Sequence, residues 1–156
     1  MKKTIEERPL EDEFRTVSVL LDADAQNNLG DAYHYGESVP QDSVQAVSWY
    51  RQAAEQGHAE AQLNLGIAYY YGDGVPEDDV EAVSWYRQAA EQGVAFAQSN
   101  LGNMYYNGEG VPQDYEEAVS WYRQAAEQGY SRAQSNLGVM YHNGVGVQRD
   151  DVEAVK

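Results

Sequence analysis

Apolar residues in the middle of the chain recur every three or four positions, which is the spacing of one face of an α-helix. In residues 59–72 this face consists of Ala61, Leu65, Ala68 and Tyr69. Gly72 follows directly and is a typical C-terminal cap, because glycine adopts a left-handed backbone at little cost. Segment 72–76 contains glycine and proline and cannot continue a helix. The pattern therefore predicts a first helix, called helix A, that ends in a loop.

A second apolar face begins after that loop. It predicts a helix over about 79–92, called helix B, which buries Ala82, Trp85, Tyr86 and Ala89. Asp78 lies three residues before Glu81, a capping-box pattern with an acidic cap. The same spacing recurs as Asp42/Gln45, Asp114/Glu117 and Asp150/Glu153. Gly93 is predicted to end helix B in a tight turn.

The helix pair is repeated with a period of 36 residues. The segment AVSWYRQAAEQG occurs at 46–57, 82–93 and 118–129. We therefore set four repeats at 23–58, 59–94, 95–130 and 131–156, of which the last is 10 residues short. Small residues such as Gly66 and Ala89 let neighbouring helices approach to about 8–10 Å. Since one helix pair cannot bury its apolar face alone, the sequence predicts an all-α solenoid of stacked antiparallel helix pairs.

The composition narrows the possible functions. The 156 residues include 26 acidic and 10 basic ones, a net charge of −16, and no cysteine. This charge argues against nucleic acid and anionic membranes as partners, and it favours a basic or neutral one. The lack of cysteine excludes disulfides, thiolate zinc sites and cysteine nucleophiles. No stretch approaches the roughly 20 apolar residues of a membrane span, so membrane insertion is not expected.

The repeat resembles a known family. Residues 59–93 carry the pattern A-x-A-Q-x-N-L-G-x-x-Y-x-x-G-x-G-V-x-x-D-x-x-x-A-x-x-W-Y-x-x-A-A-x-x-G. This is similar to the Sel-one-like repeats, which are relatives of the tetratricopeptide repeats; the tetratricopeptide period is 34, so 36 favours the former. Over residues 23–156 the resemblance implies a right-handed superhelix, with helix A inside and helix B outside, that acts as a protein-interaction scaffold. The chain departs from the family's cysteine-rich secreted branch, whose claimed hydrolase activity is not carried over. Ser38 replaces a loop glycine of the pattern, which could shift that turn.

The two ends depart from the repeat. Residues 10–20 align with helix B and present one apolar face, so the region 1–22 is predicted to hold a degenerate helix that caps the first repeat. At the other end the chain stops where Trp-Tyr is due, which favours a fragment of a longer array. Residues 4–13 are acidic and lack an apolar core, so the sequence as written has no signal peptide. We expect a cytoplasmic protein, or an exported one if an upstream signal was removed.

Residues suited to catalysis or metal binding are few and dispersed. His34 and His142 occupy equivalent positions three repeats apart, and His58 lies in a turn, so an extended solenoid keeps them separate. The acidic loop 73–81 lacks the Asp-x-Asp-x-Asp-Gly spacing of a calcium site, which favours a solvated loop over a cation site. Ser48, Ser84 and Ser120 have no base at a suitable spacing. We therefore predict a non-enzymatic protein without cofactor or metal.

The surface of helix A opposite its core side is the most informative one for function. It consists of positions 24, 27, 28, 31, 34 and 35 with their equivalents in the later repeats, and is called the helix A face. Most of these positions vary, as in the series Asp24, Glu60, Phe96 and Arg132, whereas the core positions do not. A binding surface tuned to a ligand would show this variation, and so would neutral drift on an exposed surface.

One row of the helix A face is identical in all repeats: Asn28, Asn64, Asn100 and Asn136. An amide side chain offers both donors and an acceptor, so the row could hold an extended peptide backbone. Alternatively, each asparagine bonds a neighbouring helix or survives from a recent duplication. The predicted partner-binding residues are Asn28, Leu63, Asn64, Ile67, Tyr71, Phe96, Asn100, Asn103, Asn107 and Asn136.

The sequence thus predicts a non-enzymatic scaffold that binds a peptide or protein segment along a concave helix A face. The partner is expected to be basic or neutral. The alternative is a structural repeat module of a longer protein whose activity lies in another domain.

Overall fold

The computed structural model describes residues 22–152 and residue 154. Within them the chain forms seven α-helices of 13 residues each and no β-strand. The helices are α1 (Ala23–Tyr35), α2 (Ser43–Glu55), α3 (Ala59–Tyr71), α4 (Asp79–Glu91), α5 (Ala95–Asn107), α6 (Tyr115–Glu127) and α7 (Ser131–Asn143). Odd-numbered helices are helix A of successive repeats, and even-numbered ones are helix B. The predicted all-α solenoid is confirmed, while the capping helix predicted at 10–20 lies outside the described residues.

The hydrophobic core is a series of clusters along the stack instead of a single centre. The cluster members that join consecutive repeats include Tyr50, Ala53 and Leu65 between α2 and α3, then Tyr86, Ala89 and Leu101 between α4 and α5, then Tyr122, Ala133 and Met140 between α6 and α7. Each repeat therefore buries its apolar face against its sequence neighbours, which is how stacked repeats gain stability.

A glycine in the left-handed conformation ends helix A in each of the four repeats. These caps are Gly36, Gly72, Gly108 and Gly144. The φ angle of Gly72 is 67°, a region that glycine enters without a Cβ clash, so its predicted role as a cap is confirmed. Ser38 has a φ of 66°, close to the 75° of its equivalent Gly74. The serine therefore keeps the turn of the other repeats, at some cost in backbone strain, and does not shift it.

Helix B begins at an aspartate cap, but the second half of the predicted capping box is replaced. Asp78 Oδ1 accepts hydrogen bonds from the backbone N–H groups of Val80 and Glu81, at 3.0 and 3.1 Å. The backbone N–H of Asp78 donates to the carbonyl oxygen of Tyr69 at 3.0 Å. Equivalent bonds join Asp42 to Tyr33, Asp114 to Tyr105 and Asp150 to Tyr141. Each loop is thus tied back to helix A of its own repeat, which fixes where helix B starts.

Helices A and B of one repeat touch through a glycine and a tyrosine. A Cβ atom on Gly66 would lie 2.6 Å from the Tyr86 ring, closer than real carbon contacts. The same pairing occurs between Gly30 and Tyr50 and between Gly102 and Tyr122. The predicted role of Gly66, to let neighbouring helices approach closely, is confirmed. Because Gly66 has no side chain, the Tyr86 ring can pass over helix A at this position and reach the helix A face.

Candidate binding site on the helix A face

Three pockets follow one another on the helix A face, one at each junction between consecutive repeats. The first pocket has a volume of about 160 Å³, the second about 190 Å³ and the third about 270 Å³. Equivalent residues line them in turn: Tyr50, Tyr86 and Tyr122 from helix B, then Asn64, Asn100 and Asn136 from helix A. The 36-residue period thus produces a row of similar pockets, whose linings differ at other positions such as Ile67, Asn103 and Val139.

A buried tyrosine from helix B contributes its hydroxyl group to each pocket. Tyr50 donates to Asp31 Oδ1 at 2.8 Å, and Tyr122 donates to Asn103 Oδ1 at 2.7 Å. Burial raises the pKa of Tyr122 to about 12. Burial also raises the pKa values of Tyr50 and Tyr86 well above the ordinary value for tyrosine. At neutral pH all three hydroxyl groups are therefore protonated. Those of Tyr50 and Tyr122 donate to helix A side chains, and that of Tyr86 bonds the Asn100 side chain.

The asparagine row makes hydrogen bonds within the protein. Asn64 Nδ2 donates to Asn27 Oδ1 at 3.3 Å, and Asn136 Nδ2 donates to Asn103 Oδ1 at 3.3 Å. These bonds join adjacent repeats, as expected if the asparagines serve to connect neighbouring helices. Each bond uses one of the two N–H groups of an amide. Asn100 bonds the Tyr86 hydroxyl, and Asn136 also bonds the Tyr122 hydroxyl. The amide oxygen of each side chain can still accept a hydrogen bond from the main chain of a peptide ligand.

Stacking buries one of the positions that the helical wheel places on the helix A face. Leu63 is 9% exposed and belongs to the core cluster of Tyr86 and Leu101. Its equivalents Asn27 and Ser99 are also buried. Leu63 is thus part of the core, because the neighbouring repeat covers this edge of helix A. Of the other predicted residues, Asn64, Ile67, Phe96, Asn100, Asn103 and Asn136 are half-buried, and Asn28, Tyr71 and Asn107 are exposed.

The second pocket brings together five of the predicted residues. These are Ile67, Tyr71, Phe96, Asn100 and Asn103. Tyr70, Tyr86, Met104 and Arg132 complete its lining, and none of them was predicted as a site residue. Arg132 comes from the first turn of α7, so this pocket draws on three successive helix A segments. Asn64 lines the first pocket and Asn136 the third.

Two polar networks that the sequence analysis did not predict join the repeats. Gln98 Nε2 donates to the carbonyl oxygen of Ala90 at 3.1 Å, and its Oε1 accepts from Gln128 Nε2 at 2.8 Å. The Arg87 guanidinium donates to the Tyr105 hydroxyl at 2.6 Å. The sequence signal for these networks is identity between repeats. The glutamine is the same in all four repeats (Gln26, Gln62, Gln98 and Gln134), and the arginine is the same in the first three (Arg51, Arg87 and Arg123).

The histidines pair with carboxylates and do not converge. His58 Nδ1 accepts from the backbone N–H of Ala61 at 3.1 Å and so caps α3, while its Nε2 lies 3.1 Å from Asp24 Oδ1. The other pairs are His34 with Asp73 and His142 with Asp151. In residues 22–152 and 154, no three His, Asp or Glu side chains are grouped so as to hold a metal ion. None of the helices in this part of the chain has the length and apolar character needed to cross a membrane.

The stacked helix pairs and the glycine–tyrosine contacts at a fixed period define an α-solenoid repeat protein. The chain matches the Sel1 repeat family over residues 23–58, 59–94, 95–130 and 131–156. It belongs to that family, and the four repeats set from the sequence have the same bounds as the matched ones.

Solved bacterial structures share this fold. One is c5321, a protective antigen present in uropathogenic Escherichia coli strains, which displays an SLR fold. Its sequence is 44% identical, and the TM-score is 0.85 over 95% of this chain and 32% of that chain. The Sel1 repeat protein from Oxalobacter formigenes is 45% identical, with a TM-score of 0.82 over 85% of this chain and 55% of that chain. Helicobacter pylori cysteine rich protein B shares only the fold with this chain. Its sequence is 23% identical, and the TM-score is 0.58 over 67% of this chain and 85% of that chain.

The chain spans about one third of the length of the Escherichia coli protein and about half that of the Oxalobacter protein. No curated protein matches the chain.

Proposed function

We propose that this protein is a non-enzymatic scaffold that binds a segment of another protein along its helix A face. The observation that carries the proposal is the row of three pockets, of about 160, 190 and 270 Å³, each at a junction between repeats. Pockets that recur with the repeat suit a segment that runs across consecutive repeats, as in groove recognition generally. Membership of the Sel1 repeat family supports a protein partner.

The linings of the pockets indicate how such a segment would be held. Apolar side chains of the segment would enter between residues such as Ile67 and Phe96, which line the second pocket. The amides of Asn64 and Asn100 would bond its main chain, each bond contributing roughly 0.5–1.5 kcal/mol net. The buried tyrosines keep the helix A side chains oriented before the ligand arrives, which lowers the entropy lost on binding.

The charge of the protein favours a basic or neutral partner. The net charge is −16, and the first two repeats place Asp24, Asp31 and Glu60 on the helix A face. An acidic surface attracts basic segments and speeds their encounter at low salt, whereas it repels the phosphates of nucleic acids. We therefore propose a protein or peptide ligand and no nucleic acid.

The test is calorimetry with a partner recovered by pulldown on the immobilised protein. The double variant Asn64→Ala and Asn100→Ala should bind about tenfold more weakly or worse, since roughly 1.4 kcal/mol corresponds to a factor of ten. Ser84→Ala is the matched control, because Ser84 is exposed on helix B. Thermal melting of each variant separates lost binding from lost folding. If Ser84→Ala weakens binding and the asparagine pair does not, helix B carries the interface and the proposal fails.

The alternative is that the array is a structural module of a longer protein whose activity lies in another domain. The fact that favours it is that the chain spans only 32% of the Escherichia coli relative. Deleting the array from the full-length protein tests it: retained partner binding by the remainder supports the module, and lost binding supports the scaffold.

A further inference from the structure

Arg132 differs from the other arginines of residues 22–152 in its bonding. Those others donate to a partner: Arg51 to Tyr69, Arg87 to Tyr105, Arg123 to Tyr141 and Arg149 to Asp151. The Arg132 guanidinium has no hydrogen bond or ion pair with another described residue, and it is exposed at the edge of the second pocket. Because a guanidinium is always charged and carries five N–H donors, this group is available to bind an anion.

The second pocket beside Arg132 is large enough for one sizeable apolar side chain. Its volume is about 190 Å³, and Ile67, Phe96 and Met104 line it. An apolar cavity of about 150 Å³ suffices to hold benzene. Tyr86 also lines the pocket and is itself only 2% exposed. A leucine, methionine or phenylalanine side chain would fit, and it would lie close to the guanidinium.

The charges on the helix A face change along the stack. At equivalent positions the four repeats carry Asp24, Glu60, Phe96 and Arg132, so the series runs from acidic through apolar to basic. A bound segment with complementary charges would therefore place basic residues toward the first repeat and a carboxylate toward the fourth. This order would also give the segment a single direction along the face.

We propose that the second pocket holds a large apolar side chain of a partner segment, and that Arg132 binds the carboxylate of an Asp or Glu side chain close by in the same segment. This inference rests on the proposed function and names the chemistry of its ligand. We assign the carboxylate to a side chain and not to a chain end, because the row of pockets continues past Arg132. The third pocket, lined by Asn136 and Val139, leaves room for the segment to run on.

The first experiment is selection from a random peptide library whose C-termini are joined to a phage coat protein. The wild-type protein should enrich peptides with a large apolar residue, an Asp or Glu within a few positions, and basic residues on the other side. The Arg132→Gln protein should enrich the apolar residue without the acidic one. Arg149→Gln removes the same charge from an exposed residue outside the pockets and should select like the wild type.

Calorimetry with one enriched peptide then measures the contact itself. Changing the acidic residue of the peptide to its amide should weaken binding to the wild type by about tenfold, because a neutral amide replaces the charged acceptor of a charge-assisted hydrogen bond. The same change should have no effect on binding to Arg132→Gln. A tenfold loss that persists in Arg132→Gln would overturn the inference, as would selection without any acidic preference. A second library, whose peptides have free C-termini, also offers a carboxylate at the chain end. If the protein shows a preference for a carboxylate only with that library, the assignment to a side chain is overturned.

A further variant separates this inference from the proposed function. Ile67→Arg places a long charged side chain in the second pocket, which should abolish peptide binding if the helix A face is the site. If Ile67→Arg abolishes binding while Arg132→Gln leaves the acidic preference unchanged, the scaffold proposal stands and the role of Arg132 is refuted. If neither variant affects binding, or the wild type enriches no peptide, both fail. Melting curves of the variants confirm that each is folded.

Discussion

Gln98 joins three helices through one buried amide, and its removal tests how the repeats are held together. The side chain begins in α5 and is 3% exposed. It donates to the carbonyl oxygen of Ala90 in α4 and accepts from Gln128, the C-terminal cap of α6. A substitution here should weaken the contact between the second and third repeats as well as the third repeat itself.

We expect Gln98→Ala to lower the free energy of unfolding by about 3 kcal/mol. The two hydrogen bonds contribute about 1 kcal/mol each, and the buried methylene that alanine lacks contributes about 0.8 kcal/mol. The carbonyl of Ala90 still accepts the backbone N–H of Gly93 at 2.9 Å, so the change does not leave it without a donor. The cost therefore stays near the sum of the lost interactions.

Gln134→Ala is the matched control. Gln134 makes the equivalent bond, from Nε2 to the carbonyl oxygen of Ala126 at 3.2 Å, but its side chain is exposed. Water replaces such a bond, so we expect a loss below about 1 kcal/mol. Urea unfolding followed by circular dichroism measures both losses, and an unchanged slope shows that the variants are comparable. Equal losses for the two variants would refute the claim that burial of the amide decides its contribution.

Four further outcomes are expected. Gly102→Ala should destabilise the protein by about 1–3 kcal/mol in urea, because its Cβ would lie 2.7 Å from the Tyr122 ring; an unchanged midpoint would contradict that close contact. Trp85→Ala should cost about 3 kcal/mol, since Trp85 packs against the core between α2 and α3, and an unaltered melting curve would argue against this. Burial raises the pKa of Tyr122 from 10.0 to about 12. The protonated hydroxyl therefore stabilises the fold fully below pH 10, and this contribution is lost as the pH rises toward 12. In urea unfolding, Tyr122→Phe should lose stability less steeply above pH 10 than the wild type; identical pH profiles would contradict this expectation. Amides of α7 should exchange with deuterium faster than those of 59–130, because among the described helices α7 packs mainly against α6. Uniform protection would disprove this.

The sequence predicted the fold because its signals are local and repeated. Helical spacing, the caps Gly72 and Asp78, and the small residue Gly66 each depend on contacts within one repeat, and the structure confirms all three. The capping box is a case in which the local pattern was insufficient, because a backbone carbonyl takes the place of the Glu81 side chain as acceptor. The backbone N–H of Asp78 has two possible acceptors, and the carbonyl of Tyr69 is the one that the antiparallel helix pair brings within reach.

The periodicity of the chain by itself determined the helix pairs, the four repeats and the solenoid class, because stacking a helix pair buries the only apolar face it has. The family followed from the resemblance of the repeat motif and from the family match. The tertiary structure alone decided what lies at the junctions between repeats. It buries Leu63, which a helical wheel places on the exposed side of helix A, and it buries Gln98 in a hydrogen-bond network that spans three helices. It also places Arg132 beside a pocket built mainly by the two preceding repeats. These features depend on the offset and angle between neighbouring repeats. Contacts between residues of consecutive repeats determine that geometry, so the sequence of one helix does not reveal it.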